Sequence, residues 1–133
     1  MAALTAFADE VKRVRELGVA TSDIAVATGS QPSTVNAWAR ATRQPSGMKR
    51  ERLLELVALV DRLERVVSAA YVPLWLLKPV AALDDRPPLE LLSKGRYREV
   101  SRVVAELEND AFAIRDQEKG FTTMSKMRAT RIP

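Results

Sequence analysis

The stretch DIAVATGSQPSTVNAWAR, Asp23 to Arg40, sets a glycine and then a proline inside an alanine-rich run that otherwise favours helix. Glycine tolerates the left-handed backbone of a tight turn, and proline suits the first turn of a helix, where its missing N–H would have no partner anyway. The stretch therefore predicts two short helices at an angle. One runs through Ile24, Ala25 and Ala27 to Gly29, with Thr21 or Ser22 as its cap, and the other opens at Gln31-Pro32-Ser33-Thr34. A helix-turn-helix needs a small residue where the second helix crosses the first, a residue tolerant of positive φ in the turn, and apolar residues that lock the angle. Ala25, Gly29, Val35 and Trp38 fill the first, fifth, eleventh and fourteenth places of that spacing.

That arrangement leaves Gln31, Ser33, Thr34, Asn36, Ala37 and Arg40 pointing outward from the second helix. Most are hydrogen-bonding types that read base edges and phosphates in a major groove. Gln31 and Asn36 can pair adenine, and Arg40 can take guanine or a phosphate; their plainer roles are a cap, a solvated amide and a surface charge. A net charge of +4 with a pI near 9.8 is only mildly basic. Its distribution says more. From Gly29 to Arg52, the bases Arg40, Arg43, Lys49, Arg50 and Arg52 face only Glu51, whereas acids and bases nearly balance from Glu64 to Asp110. Gln31, Ser33, Thr34, Asn36, Arg40 and Arg43 are thus the candidate contacts to a double-stranded DNA operator, although the same spacing also serves as a plain packing unit.

Around this motif the chain reads as all-α. Leu4, Phe7, Ala8, Val11, Val14 and Leu17 recur at helical spacing before Gly18, predicting a helix over residues 3–17. The segment KRERLLELVALVDRLERVVSAAY predicts the longest helix, running on to Tyr71, with Leu53, Leu56, Val57, Val60, Leu63 and Val67 on one stripe. Leu54, Leu59 and Val66 widen the stripe, so the helix is either covered on both sides or turned in part toward a partner. A homodimer is the simplest partner, because one helix-turn-helix reads only a short half-site. Past Tyr71, prolines at 73, 79, 87 and 88 punctuate short helices: PPLELL is proline-initiated, Gly95 stops it, and YREVSRVVAELE turns Val100, Val103, Val104 and Leu107 inward. The expected organisation is a helix-turn-helix unit over residues 1–47, a connecting helix over 48–70, a small helical unit over 71–113 and a flexible tail over 114–133, which carries five bases to two acids.

Composition removes most enzyme chemistry. The 133 residues include no cysteine and no histidine, which excludes disulfides, thiol nucleophiles, the usual zinc sites and imidazole acid–base work. No Gly-rich phosphate loop or Gly-x-Ser-x-Gly elbow organises the remaining nucleophiles. Asp84, Asp85 and Arg86 are the one cluster an enzyme could use; a helix cap with a loop ion pair is the simpler reading. No catalytic residue, cofactor or metal is expected. The N-terminus MAALTAFADEVKRVREL is too charged for a signal peptide, and no apolar run approaches a membrane span, so a bacterial-type cytoplasmic protein is expected.

Trp75-Leu76, Pro79, Leu83, Arg86, Pro88-Leu89-Glu90-Leu91-Leu92, Gly95 and Arg98-Glu99-Val100 together resemble the C-terminal toxin-binding domain of the Xre/MbcA/ParS antitoxin family. The resemblance extends over about residues 10–113, since that family also places an Xre-like helix-turn-helix and a long helix before this domain. Many members carry Asn-Pro and Gly-Gly where this chain reads KPVAALDDRPP, and many stop near Ala113. The resemblance implies an antitoxin that sequesters a RES-domain, NAD-degrading toxin and represses its own operon. It implies toxin contacts at Trp75, Leu91, Leu92, Tyr97 and the segment Asn109 to Ala113, which includes Phe112. Trp75 and the two leucines equally suit the core of a domain with few aromatics. The residues by themselves imply less: a DNA-binding module joined to a helical domain, which also fits a stand-alone phage or chromosomal repressor.

Overall fold

The computed structural model describes residues 2–120, with side chains from Ala6 to Ala111. The helices are α1 (Ala2–Glu16), α2 (Thr21–Thr28), α3 (Pro32–Ala39), α4 (Gly47–Glu64), α5 (Tyr71–Leu77), α6 (Pro88–Ser93) and α7 (Tyr97–Gly120), with a 3-10 turn at Ala81–Leu83 between α5 and α6. The fold is all-α: among the described residues there is no strand, and Val80 and Arg86 share only an isolated antiparallel bridge. α7 continues through residues 114–120, and residues 121–133 of the expected tail lie outside the described residues.

Local chemistry sets most of the boundaries. Pro32 and Pro88 open α3 and α6 from extended residues Gln31 and Pro87. Gly29 ends α2 in the left-handed region, φ 71°, and its N–H turns back to the carbonyls of Ala25 and Val26. Gly18 closes α1 at φ 110°, and a Cβ there would sit 3.2 Å from Pro73 Cγ, so the α1–α2 turn lies directly on α5. Two sequence expectations fail locally. The cap of α2 is Ala20, which offers no side-chain oxygen, and Asp23 in the first turn supplies the negative charge that the helix start favours. The long helix stops at Glu64 rather than running to Tyr71. Its last turn tightens, with Arg65 N–H donating to Arg62 O and Val66 N–H to Leu63 O, where the β-branched pair Val66-Val67 meets Ser68.

α4 is the centre of the molecule. Leu53, Leu56, Val57, Leu59, Val60 and Leu63 are all buried, and α1, α2, α5, α6 and α7 all pack on this helix. The breadth of its apolar stripe therefore reflects cover on both sides: Leu59 is fully enclosed, while Leu54 remains 42% exposed. α6 lies against α2, so Ile24, Val35 and Trp38 share one continuous core with Trp75, Leu76, Leu91, Leu92, Val100 and Val104.

Two arginines fasten the outer helices to α4. Arg13 on α1 reaches Asp61 at 2.6 Å and Glu64 at 3.0 Å. Arg62 on α4 grips Glu108 of α7 with Nη2 at 2.9 Å and Nε at 3.1 Å, and donates through Nη1 to Ser101 Oγ at 2.6 Å. The hydrogen bonds from Arg62 hold the Glu108 carboxyl below the usual carboxylate range.

Trp38→Ala should open a cavity in the core and cost about 3–5 kcal/mol, read as a lowered denaturation midpoint. Because the folded Glu108 pKa is depressed, its stabilisation is fully present above the ordinary carboxylate pKa of about 4.3 and fades as pH falls through the lower folded value. Glu108→Gln should thus cost about 1 kcal/mol at neutral pH and far less near pH 3, measured by thermal melts at both. A fragment ending at Ala70 loses α6 from the face of α2, and should show neither a cooperative melt nor dispersed amide signals.

Candidate functional site

α2, the turn at Gly29 and α3 form the unit that the sequence singles out. Ala25, Val35 and Trp38 are buried, and α3 lies across both α1 and α2. Gln31, Ser33 and Arg40 are exposed, and Thr34 and Asn36 are half-buried on the outer side. Ala37 departs from the expectation that it points outward: it is only 7% exposed. α3 packs on both α1 and α2, and the next loop turns back onto its end. The Thr42 N–H at 2.9 Å, Thr42 Oγ1 at 3.1 Å and the Arg43 N–H at 3.3 Å all donate to the Ala37 carbonyl, folding residues 41–43 back over the helix end. Ala41 takes a left-handed backbone, φ 60°, to make that reversal. The loop thereby fixes Arg40 and Arg43 at the C-terminal end of α3.

Among the described residues, Arg40, Arg43 and Lys49 have no carboxylate partner, and Arg50 lies over the Phe7 ring at 5.7 Å. Arg43 and Lys49, with Thr34, Gln44 and Ser46, line a shallow polar groove beside α3. Arg52, counted in the basic run, faces the other way: it approaches Glu55 at 3.6 Å and covers Gly95. Arg15 joins the outer face instead. From the end of α1 its Nη1 donates to Asn36 Oδ1 at 3.0 Å. Sequence reasoning confined to the α2–α3 stretch misses it, and its place beside the inward Val11 and Val14 on α1 was the available signal.

In the second half the proposed contact residues separate. Trp75, Leu91 and Leu92 are core side chains, 5%, 1% and 2% exposed, and offer little surface for contact. Tyr97 is half-buried at the start of α7, near Arg62, and Asn109 is exposed. The side chains of Phe112 and Ala113 lie outside the described residues. Leu74 and Leu77 stand out on the outer side of α5, 62% and 48% exposed. They are legible once Val72, Trp75 and Leu76 are placed inward, because positions 74 and 77 then face away. Asp84 and Asp85 form a turn, both with left-handed backbone and exposed, while Arg86 pairs with Glu90 at 3.1 Å. Among the described residues no cluster of three potential metal ligands occurs, and no helix is long and apolar enough to cross a membrane.

The class this defines is an all-α protein in which two short angled helices share a core with a proline-punctuated helical half. No family model matches the chain. It is 23% identical over 99 residues to the mycobacterial cidal antitoxin MbcA of Mycobacterium tuberculosis and of Mycobacterium bovis, covering 74% of this chain and 88% of theirs. It also superposes on a chain of the crystal structure of the M. tuberculosis MbcT–MbcA toxin–antitoxin complex with a TM-score of 0.67 and 26% identity, covering 80% of this chain and 94% of that one. Sequence and structure together support an MbcA-type antitoxin family for this chain.

Proposed function

We propose that the protein is a DNA-binding antitoxin of the bacterial cytoplasm, which neutralises a RES-domain, NAD-degrading toxin by direct binding and represses its own operon as a homodimer. The observation that carries the antitoxin reading is the likeness to a chain from a toxin–antitoxin complex, which covers 80% of this protein and 94% of that chain. The exposed Leu74 and Leu77 on α5, with Tyr97 and the distal part of α7 from Asn109, supply the partner surface. Apolar side chains this exposed gain most from being covered.

DNA binding rests on a different observation: polar and cationic side chains gather on one face, without neutralising partners among the described residues. Gln31, Ser33, Thr34, Asn36 and Arg40 line the outer side of α3, and Arg43 and Lys49 stand beside it. Unpaired cations attract phosphate, and the amide and hydroxyl groups read base edges. Residues 1–47 thus serve DNA and residues 71–113 serve the partner, with α4 as the shared support. A homodimer would offer two α3 helices to half-sites about 34 Å apart.

Co-expression with a RES-domain toxin, where one is encoded beside this gene, should restore cellular NAD and co-purify both chains; no such neighbour, or intact toxicity with no complex, would end the antitoxin reading and leave a stand-alone repressor. Leu74→Asp combined with Leu77→Asp should abolish co-purification without changing the melt. Arg40→Ala should weaken binding to the preferred operator by about 1–3 kcal/mol if it contacts a base. Arg43→Ala and Lys49→Ala should weaken binding to all sequences and each reduce the salt slope by about 1 in titrations at several salt concentrations.

A further inference from the structure

Asn36 stands on the face of α3 that the proposed reading gives to DNA, yet its amide is already engaged. Arg15 Nη1 donates to Asn36 Oδ1 at 3.0 Å across a sequence separation of 21 residues, and both side chains are half-buried. Arg15 has no carboxylate partner among the described residues, so no acid draws the guanidinium away. An arginine carries donors only. The Asn36 amide therefore cannot turn its nitrogen toward Arg15 without setting N–H against N–H, and a charge-assisted bond holds Oδ1 on the Arg15 side.

That orientation bears on base reading. An asparagine pairs adenine by using both ends of the amide, donating to N7 and accepting from N6. With Oδ1 turned to Arg15 and one of its two lone pairs taken, the end of the amide that is free of a partner is Nδ2, which offers two donors. Guanine offers two acceptors in the major groove, N7 and O6, whereas adenine sets its own N6 donor beside N7. We infer that Arg15 is a positioning residue that fixes the specificity of α3, turning Asn36 from an adenine-reading side chain into one that selects guanine. The inference rests on the DNA-binding reading.

The test is in vitro selection from a pool of randomised double-stranded DNA with the full-length protein and three variants, each first checked for an unchanged melt. The wild-type chain should enrich sites with guanine at one position of each half-site, and Asn36→Ala should level that position alone. Arg15→Leu keeps the aliphatic stem but frees the amide, and should move that position to adenine by at least about fivefold while the other positions hold. Asn36→Asp keeps the Arg15 contact but presents an acceptor, and should move the same position to cytosine, whose N4 donates. An unchanged motif with Arg15→Leu, or an affinity loss spread evenly over all sequences, overturns the role assigned to Arg15 while leaving DNA binding intact. Should Arg15→Leu not fold, Asn36→Asp decides alone, and a position that stays guanine overturns the inference. If the wild-type chain enriches no site, the DNA-binding reading falls first and this inference with it.

Discussion

Leu53, Leu56, Leu59, Val60 and Leu63 of α4 are the surface on which every other described helix except α3 finds cover. Each such side chain, fully withdrawn from water, contributes about 1.5–3 kcal/mol. Among the described residues no other helix buries as many side chains, and α5 and α6 span only 7 and 6 residues, too short to be stable alone. They hold their shape because α4, α2 and α7 surround them. The arginine clamps on either flank, Arg13 toward α1 and Arg62 toward α7, add orientation to a contact that dispersion and water exclusion already favour.

The distribution of charge follows from the same arrangement. Where helices converge, arginines meet carboxylates: Arg13 with Asp61 and Glu64, Arg62 with Glu108. At the outer end of α3, Arg40, Arg43 and Lys49 are exposed and have no carboxylate partner among the described residues. The face thus keeps its positive potential, which reaches about 8–10 Å at physiological salt. With no histidine in the chain, that potential changes little through the pH range where imidazoles titrate.

Much of this was legible in the sequence. The spacing of Ala25, Gly29, Val35 and Trp38 located two angled helices and their buried residues, because those requirements are local and steric. The proline starts of α3 and α6 were equally plain. What stayed hidden depends on chain segments far apart. Nothing between Pro32 and Arg40 announces that residues 41–43 fold back onto the Ala37 carbonyl, or that Arg15 reaches Asn36 from α1. Trp75, Leu91 and Leu92 suited both a core and a contact surface on composition alone, and only the packing of α5 against α4 and α6, and of α6 on α2, decides that they are enclosed. The breadth of the α4 stripe was visible, but cover on both sides and a partner-facing edge give the same pattern of residues.

The contact between α2 and α6 also constrains how a protein like this can be reassembled. α2 sets the angle of α3, and its rear surface is shaped to α6, in the half that carries the family-like PLELL motif. A recombination that joined the first three helices of one relative to the remainder of another would bring together two surfaces never selected for each other. The two ends of the chain cannot then be exchanged as independent cassettes, because they share one core. Divergence must instead move through exposed positions such as Ser33, Arg40, Leu74 and Leu77, which can vary while the seam between the halves stays matched.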